Sequence, residues 1–237
     1  MTNTAEVGDD PAPFAFRIRA ATKLEIPPIV MLHGLGGDEQ AIWELGPALP
    51  SGGLIAAIRA PYLQSTGGYG WLPQIGGWPP NLEEFAESVR VLESFLTFLD
   101  RSHGLDRRRL VLLGFSQGAA MAFAAAMTGE AGLSVPPAAL VVVAGHLPQG
   151  ELSPLRGLPV FWGHGARDEL IPVTGARKDV ERLRAAGARV QYCEADVAHK
   201  LGSACLRELR QWIPARFGDL QKDMRSRSLI RTSPTAP

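Results

Sequence analysis

Short runs of uninterrupted apolar residues constrain this chain most: 28–32, 54–58, 110–113, 139–143 and 159–162. Each is followed within two residues by glycine or a charge. They are too short for helices and show no alternation, as expected of strands covered on both faces of a parallel sheet. Between them lie segments of helical period. Asn81 can cap a helix carrying Leu82, Phe85, Val89, Leu92, Leu96 and Leu99. Residues 117–128 are alanine-rich, 173–186 form a helix stopped by Gly187, and 203–216 form the last one. Phe14 to Arg19 alternates like an outer strand, and Arg189 to Tyr192 is a further strand. Strands alternating with helices predict βαβ crossovers and a mostly parallel central sheet with helices on both faces.

Two uncharged stretches, 110–129 and 131–150, have the length of a membrane span but are broken by glycines and prolines. Each reads better as a buried strand plus an apolar neighbour, so no stable membrane insertion is expected. Twenty-four basic and 24 acidic residues cancel. A neutral chain lacks the electrostatic footprint of a nucleic-acid binder. The polar, acidic start has neither a basic nor an apolar leader region, which favours the cytoplasm. Cys193 and Cys205, the only cysteines, form no CxxC pair and exclude a zinc ribbon or disulfide scaffold. One domain is expected over 14–217, between an N-terminal segment 1–13 expected to be flexible and a tail 218–237 expected to be mobile.

Gly114-Phe115-Ser116-Gln117-Gly118 matches G-x-S-x-G. The pattern alone is weak, and a serine N-cap in a glycine-bounded loop would also produce it. Its context is the strand–turn–helix of a nucleophile elbow, in which a strained turn exposes the serine at a helix N-terminus. A serine nucleophile needs a base and an orienting acid, in this architecture in the order Ser, acid, His. Asp168 and His199 lie in successive loops beyond strand ends and are the preferred acid and base. Glu169 and Asp196 compete as acid, and His146 as base. His164 is expected to fix the acid loop. An oxyanion requires two preorganised N–H donors. Those of Gln117 and Leu35 are expected, with Gly36 as the alternate to Leu35 and His33 as a brace for its turn.

These segments resemble the phospholipase/carboxylesterase family of α/β hydrolases, which includes acyl-protein thioesterases. The likeness rests on His33-Gly34-Leu35-Gly36-Gly37-Asp38, the 114–119 motif, His164 to Asp168 with Ile171-Pro172, and Ala198-His199. Arg59 to Tyr62 with Gly70-Trp71 resembles the family's loop after the third strand. The resemblance implies an α/β-hydrolase fold without a large cap domain, no cofactor, no metal, and hydrolysis of esters or thioesters. Lys200 departs from it, because family members often carry an acidic residue after the catalytic histidine.

Residues 60–82 carry no charge, and glycine and proline are too dense there for a helix or central strand. A long loop whose aromatics line an acyl pocket or pin it to the core is expected, with Trp71 the residue to contact substrate. The reading is a serine hydrolase of carboxylic esters, with thioesters and lysophospholipids in the same class. Its partner is a small-molecule ester, with a homodimer as the protein assembly to test. A peptidase and a non-catalytic binding module on the same fold are the alternatives.

Overall fold

The apolar runs become neighbouring strands of one sheet. A computed structural model describes residues 14–74, 76–127, 132–152 and 155–230, with backbone alone beyond 217. The strands are β1 (Phe16–Arg19), β2 (Ile29–Leu32), β3 (Ile55–Ile58), β4 (Tyr62–Leu63), β5 (Tyr69–Gly70), β6 (Val111–Phe115), β7 (Ala139–Val143), β8 (Pro159–Gly165) and β9 (Arg189–Ala195). The helices are α1 (Glu39–Trp43), α2 (Ala86–His103), α3 (Gln117–Ala125), α4 (Val173–Ala185) and α5 (Ser203–Ile230). The main sheet has the order β1-β3-β2-β6-β7-β8-β9. Only β1 runs antiparallel, against β3.

Alternate residues of each strand enter two cores. Val30, Leu32, Leu112, Val142 and Trp162 pack under α2, α3 and α4. Ile29, Met31, Leu113, Val141 and Phe161 pack under α1 and α5. This double burial is why the strands read as solid apolar runs. Every residue of α3 is buried, which explains a helix built mostly of alanine. The helical pattern from Asn81 begins as a 3-10 turn, Leu82–Phe85, in which Asn81 N–H donates to Glu84 Oε1 at 2.6 Å. Among the described residues no helix is long and apolar enough to cross a membrane.

Three features differ from the sequence reading. The uncharged loop contains a small antiparallel hairpin, β4–β5. Short helix α1 caps itself with Asp38, whose side chain accepts from Ala41 N–H at 2.8 Å. The last helix continues to Ile230, so the expected mobile tail from 218 begins as helical backbone. Residues 1–13 and 231–237 lie outside the described residues.

The cysteines also behave differently from expectation. Cys193 on β9 and Cys205 on α5 face each other with Cα atoms 5.6 Å apart and are joined by a disulfide. Their spacing could not show this, because strand and helix meet only in the fold. The cross-link closes a segment with a sequence separation of 12. Removing the loop-closure constraint should cost about 3 kcal/mol. Cys193→Ser, or reduction of the wild type, is therefore expected to lower the urea midpoint clearly. An unchanged midpoint would show that packing alone holds β9 against α5.

Candidate active site

The chain moves to β3 on one side of β2 and later to β6 on the other, so a topological switch lies between β2 and β6. Open α/β sheets bind ligands at the carboxyl ends of such strands. Leu32 pairs with Gly114 across this switch, bringing the 33–37 turn beside Ser116. Ser116 has φ 54 and ψ −117, a left-handed conformation strained for any residue with a Cβ. Its N–H donates to Val143 O at 3.0 Å. The flanking glycines permit the turn. A Cβ on Gly114 would lie 2.2 Å from Gly118 O, and one on Gly118 would lie 2.2 Å from Leu32 O.

Two further strand ends bring the other candidates. Asp168 is buried in the loop after β8, and His199 is in the loop after β9. His199 Nδ1 lies 2.7 Å from Asp168 Oδ2. The other carboxylate oxygen, Oδ1, accepts from Leu170 N–H at 3.0 Å and Ile171 N–H at 2.9 Å. His164 sits beneath them, wholly buried, with Nε2 2.9 Å from Ile171 O. Glu169 is exposed, and exposed Asp196 pairs with Arg167 at 2.7 Å. Neither competitor reaches His199 in a hydrogen bond among the described residues.

The 33–37 turn is held from several directions. His33 Nε2 accepts from Ala60 N–H at 2.9 Å, so the proton on Nδ1 faces Gly34 O at 2.7 Å. Gly36 N–H donates to Tyr69 O at 2.8 Å, and Tyr69 N–H donates to Gly37 O at 2.9 Å. The hairpin thus consumes the Gly36 donor. Leu35 N–H keeps no acceptor among the described residues. Gln117 opens α3, where backbone N–H groups have no partner within the helix. Its side-chain Oε1 accepts from Trp71 N–H at 2.9 Å.

A cavity of about 300 Å³ has Ser116, Gln117, Leu35, His146 and His199 on its walls, closed by Phe115, Leu72, Trp78, Pro80, Leu170 and Ile171. A second, of about 380 Å³, adjoins it at Gly34, Leu35 and Phe115, with Ile42, Leu45 and Lys200 on its far side. Trp71 reaches neither cavity. It is fully buried, and its Nε1–H donates to His33 O at 2.8 Å. Ser88 Oγ–H donates to Trp71 O at 2.6 Å. The expectation that Trp71 contacts substrate is corrected: it pins the loop, while exposed Trp78 borders the cavity. The composition of 60–82 does not distinguish the two tryptophans. Phe115, whose ring centroid is 4.9 Å from that of His199, Leu170 and Ile171 were also missed. Their only signal was adjacency to Ser116 and Asp168.

Burial pushes the His33 and His164 imidazoles below the ordinary histidine value and lowers His146 to about 4. Each is therefore neutral in the folded chain at a pH where the unfolded chain takes up protons, near 6.5. Their stabilisation is complete above that pH and is lost as the pH falls through each lowered folded-state value, which for His146 is about 4. His146 alone should account for on the order of 3 kcal/mol at the acid end. Urea midpoints are expected to drop between pH 7 and 4.5, less steeply in His146→Leu. Parallel pH profiles for the two proteins would refute the assignment to His146.

Known proteins share this architecture. The carboxylesterase of Bacillus cereus superposes with a TM-score of 0.74 at 21% identity, covering 87% of this chain and 96% of that one. A Mesorhizobium loti carboxylesterase gives 0.72 at 21% identity, over 90% and 99%. Zea mays acyl-protein thioesterase 2 gives 0.65 at 20% identity, over 85% and 98%. In sequence, MhqD of Bacillus subtilis (strain 168), which is named as a hydrolase, is 24% identical over 196 residues, 78% of this chain and 90% of its own length. The family model described as phospholipase/carboxylesterase matches residues 15–216, which include the elbow, the 33–37 turn and both loops that carry Asp168 and His199. The chain belongs to the phospholipase/carboxylesterase family of α/β hydrolases.

Proposed function

We propose that this protein is a serine esterase that hydrolyses small neutral carboxylic esters, with thioesters and lysophospholipids in the same reaction class. The observation that carries this reading is the strained Ser116 in one cavity with His199, whose other ring nitrogen meets buried Asp168. Ser116 Oγ attacks the acyl carbon while His199 Nε2 takes its proton. Asp168 holds the tautomer and stabilises the imidazolium. Leu35 and Gln117 N–H groups receive the oxyanion. His199 then protonates the leaving oxygen, and water deprotonated by the same imidazole releases the acid. A fluorophosphonate probe, with the labelled peptide mapped by mass spectrometry, tests this: Ser116 should carry the phosphonyl group. An unlabelled active protein would sink the reading.

The two cavities suit an acyl chain on one side of Ser116 and an alcohol on the other. Their volumes, about 300 and 380 Å³, fall at the small end of ligand pockets and favour short to medium chains. Each methylene buried is worth about 0.8 kcal/mol, so kcat/KM should rise a few-fold per carbon until the pocket fills. Trp78→Ala is expected to flatten this rise across p-nitrophenyl acetate to decanoate. Trp71→Ala should instead destabilise the fold by about 3–5 kcal/mol, as loss of a core tryptophan does. Parallel chain-length profiles for wild type and Trp78→Ala would remove Trp78 from the acyl wall.

Placement in the cytoplasm is opposed by the Cys193–Cys205 disulfide, since that compartment keeps thiols reduced. Alkylating cells before lysis and counting blocked cysteines distinguishes the two: a cytosolic protein carries two blocked thiols, an oxidised one none.

A further inference from the structure

His146 is the side chain that the reaction above leaves without a task. It stands in the loop after β7, is 5% exposed, and lines the same cavity as Ser116 and His199. Neither its Nδ1 nor its Nε2 has a hydrogen-bond partner among the described residues. Buried polar side chains are almost always paired, and leaving one unpaired costs as much as its desolvation. The other buried histidines follow that rule: His33 bonds Ala60 and Gly34, and His164 bonds Ile171. Against the His146 ring lies that of Trp78, centroids 4.2 Å apart, and Trp78 is itself largely exposed.

The backbone under His146 is built with care. Ala144, two residues earlier, has φ 46. Among the described residues it and Ser116 are the non-glycine positions of positive φ. Both stand at carboxyl ends of adjacent strands, and such strain persists only where surrounding structure enforces it. Ala144 N–H donates to Gly163 O at 2.9 Å, and Leu147 N–H donates to Asp179 Oδ2 at 2.8 Å. The loop is therefore clamped on both sides of an imidazole whose nitrogens bond nothing among the described residues. A merely structural histidine would use them.

We infer that His146 is a substrate-binding residue whose ring nitrogen hydrogen-bonds a second, uncharged oxygen of the ester, so that the enzyme selects esters bearing a hydroxyl, ether or carbonyl beyond the scissile group. This inference rests on the serine-esterase reading of the site. Ser116, Gln117 and His199 cluster at the scissile bond, and the rest of the wall is Leu72, Trp78, Pro80, Phe115, Leu170 and Ile171. An oxygen lying beyond the scissile group would therefore lose its hydration with little return unless His146 received it. The depressed basicity keeps the imidazole neutral at assay pH, with one nitrogen to donate and the other to accept. Sites that pair a substrate oxygen reject analogues lacking it, because the protein group is then stranded.

Isosteric pairs test the inference, each normalised to hydroxide-catalysed hydrolysis. On the acyl side, p-nitrophenyl 4-methoxybutanoate is compared with p-nitrophenyl hexanoate. On the alcohol side, the monohexanoate of 1,3-propanediol is compared with butyl hexanoate. The expected result is an oxygen-over-carbon ratio of kcat/KM that falls roughly tenfold from wild type to His146→Leu on one side, and is largely kept in His146→Gln. The side that responds locates the bound oxygen. Wild-type ratios no higher than those of hydroxide overturn the inference without any variant, and so does an equal ratio in wild type and His146→Leu. In either case an active enzyme leaves the esterase reading standing. Absence of hydrolysis of all four esters would instead remove that reading and this one with it.

Discussion

Ser116→Ala is expected to reduce hydrolysis of p-nitrophenyl butanoate by about 10⁴- to 10⁶-fold while leaving the fold intact. The magnitude follows from loss of the nucleophile in serine hydrolases, where the remaining machinery cannot substitute for the acyl-enzyme. The fold should tolerate the change because no hydrogen bond of the described residues uses the serine hydroxyl, whereas its backbone N–H bonds Val143 O at 3.0 Å and is kept. Alanine inherits the same φ of 54 and therefore the same strain, neither relieving nor deepening it. Turnover by titrated enzyme and the thermal midpoint check both halves. A variant retaining more than a few per cent of activity would exclude Ser116 as nucleophile.

Asp168→Asn should lower turnover by about 10⁴-fold. The carboxylate uses Oδ1 for the Leu170 and Ile171 N–H groups and Oδ2 for His199. Asparagine can keep the first acceptor, so the loop should hold its shape. It then presents an NH₂ to His199 Nδ1, which favours the tautomer with the proton on Nε2, unable to accept from serine. Glu169→Gln changes an exposed residue and should alter the rate little. Asp196→Asn removes an exposed ion pair with Arg167, an interaction worth at most about 1 kcal/mol in stability. Assaying all three variants on one ester decides among the carboxylates. A collapse in Glu169→Gln with normal rates in Asp168→Asn would move the acid to 169.

Particular residues show where sequence reading sufficed. The strand runs were legible because burial on both faces excludes polar residues from four or five consecutive positions, a local signal. Gly114 and Gly118 were legible because the elbow cannot form with a Cβ at either place. The order of loops after β6, β8 and β9 then put Ser116, Asp168 and His199 at one end of the sheet, since parallel strands present all their carboxyl ends together.

Other choices depended on contacts between segments far apart in the chain. Trp71 and Trp78 share one uncharged loop, yet Trp71 is buried by bonds to His33, Gln117 and Ser88 while Trp78 stays at the cavity mouth. Leu35 was separated from Gly36 by the β4–β5 hairpin, which takes the Gly36 N–H. Cys193 and Cys205 met because β9 packs on α5. The layered sheet, the elbow and the loops that carry the reactive groups could be read from the residues alone, because these follow from hydrophobic period and steric limits within a few residues. Which tryptophan is a wall, which N–H is free among the described residues, and that His146 is buried with no hydrogen-bond partner among them emerged from the packing alone, because each depends on which distant group fills the neighbouring space.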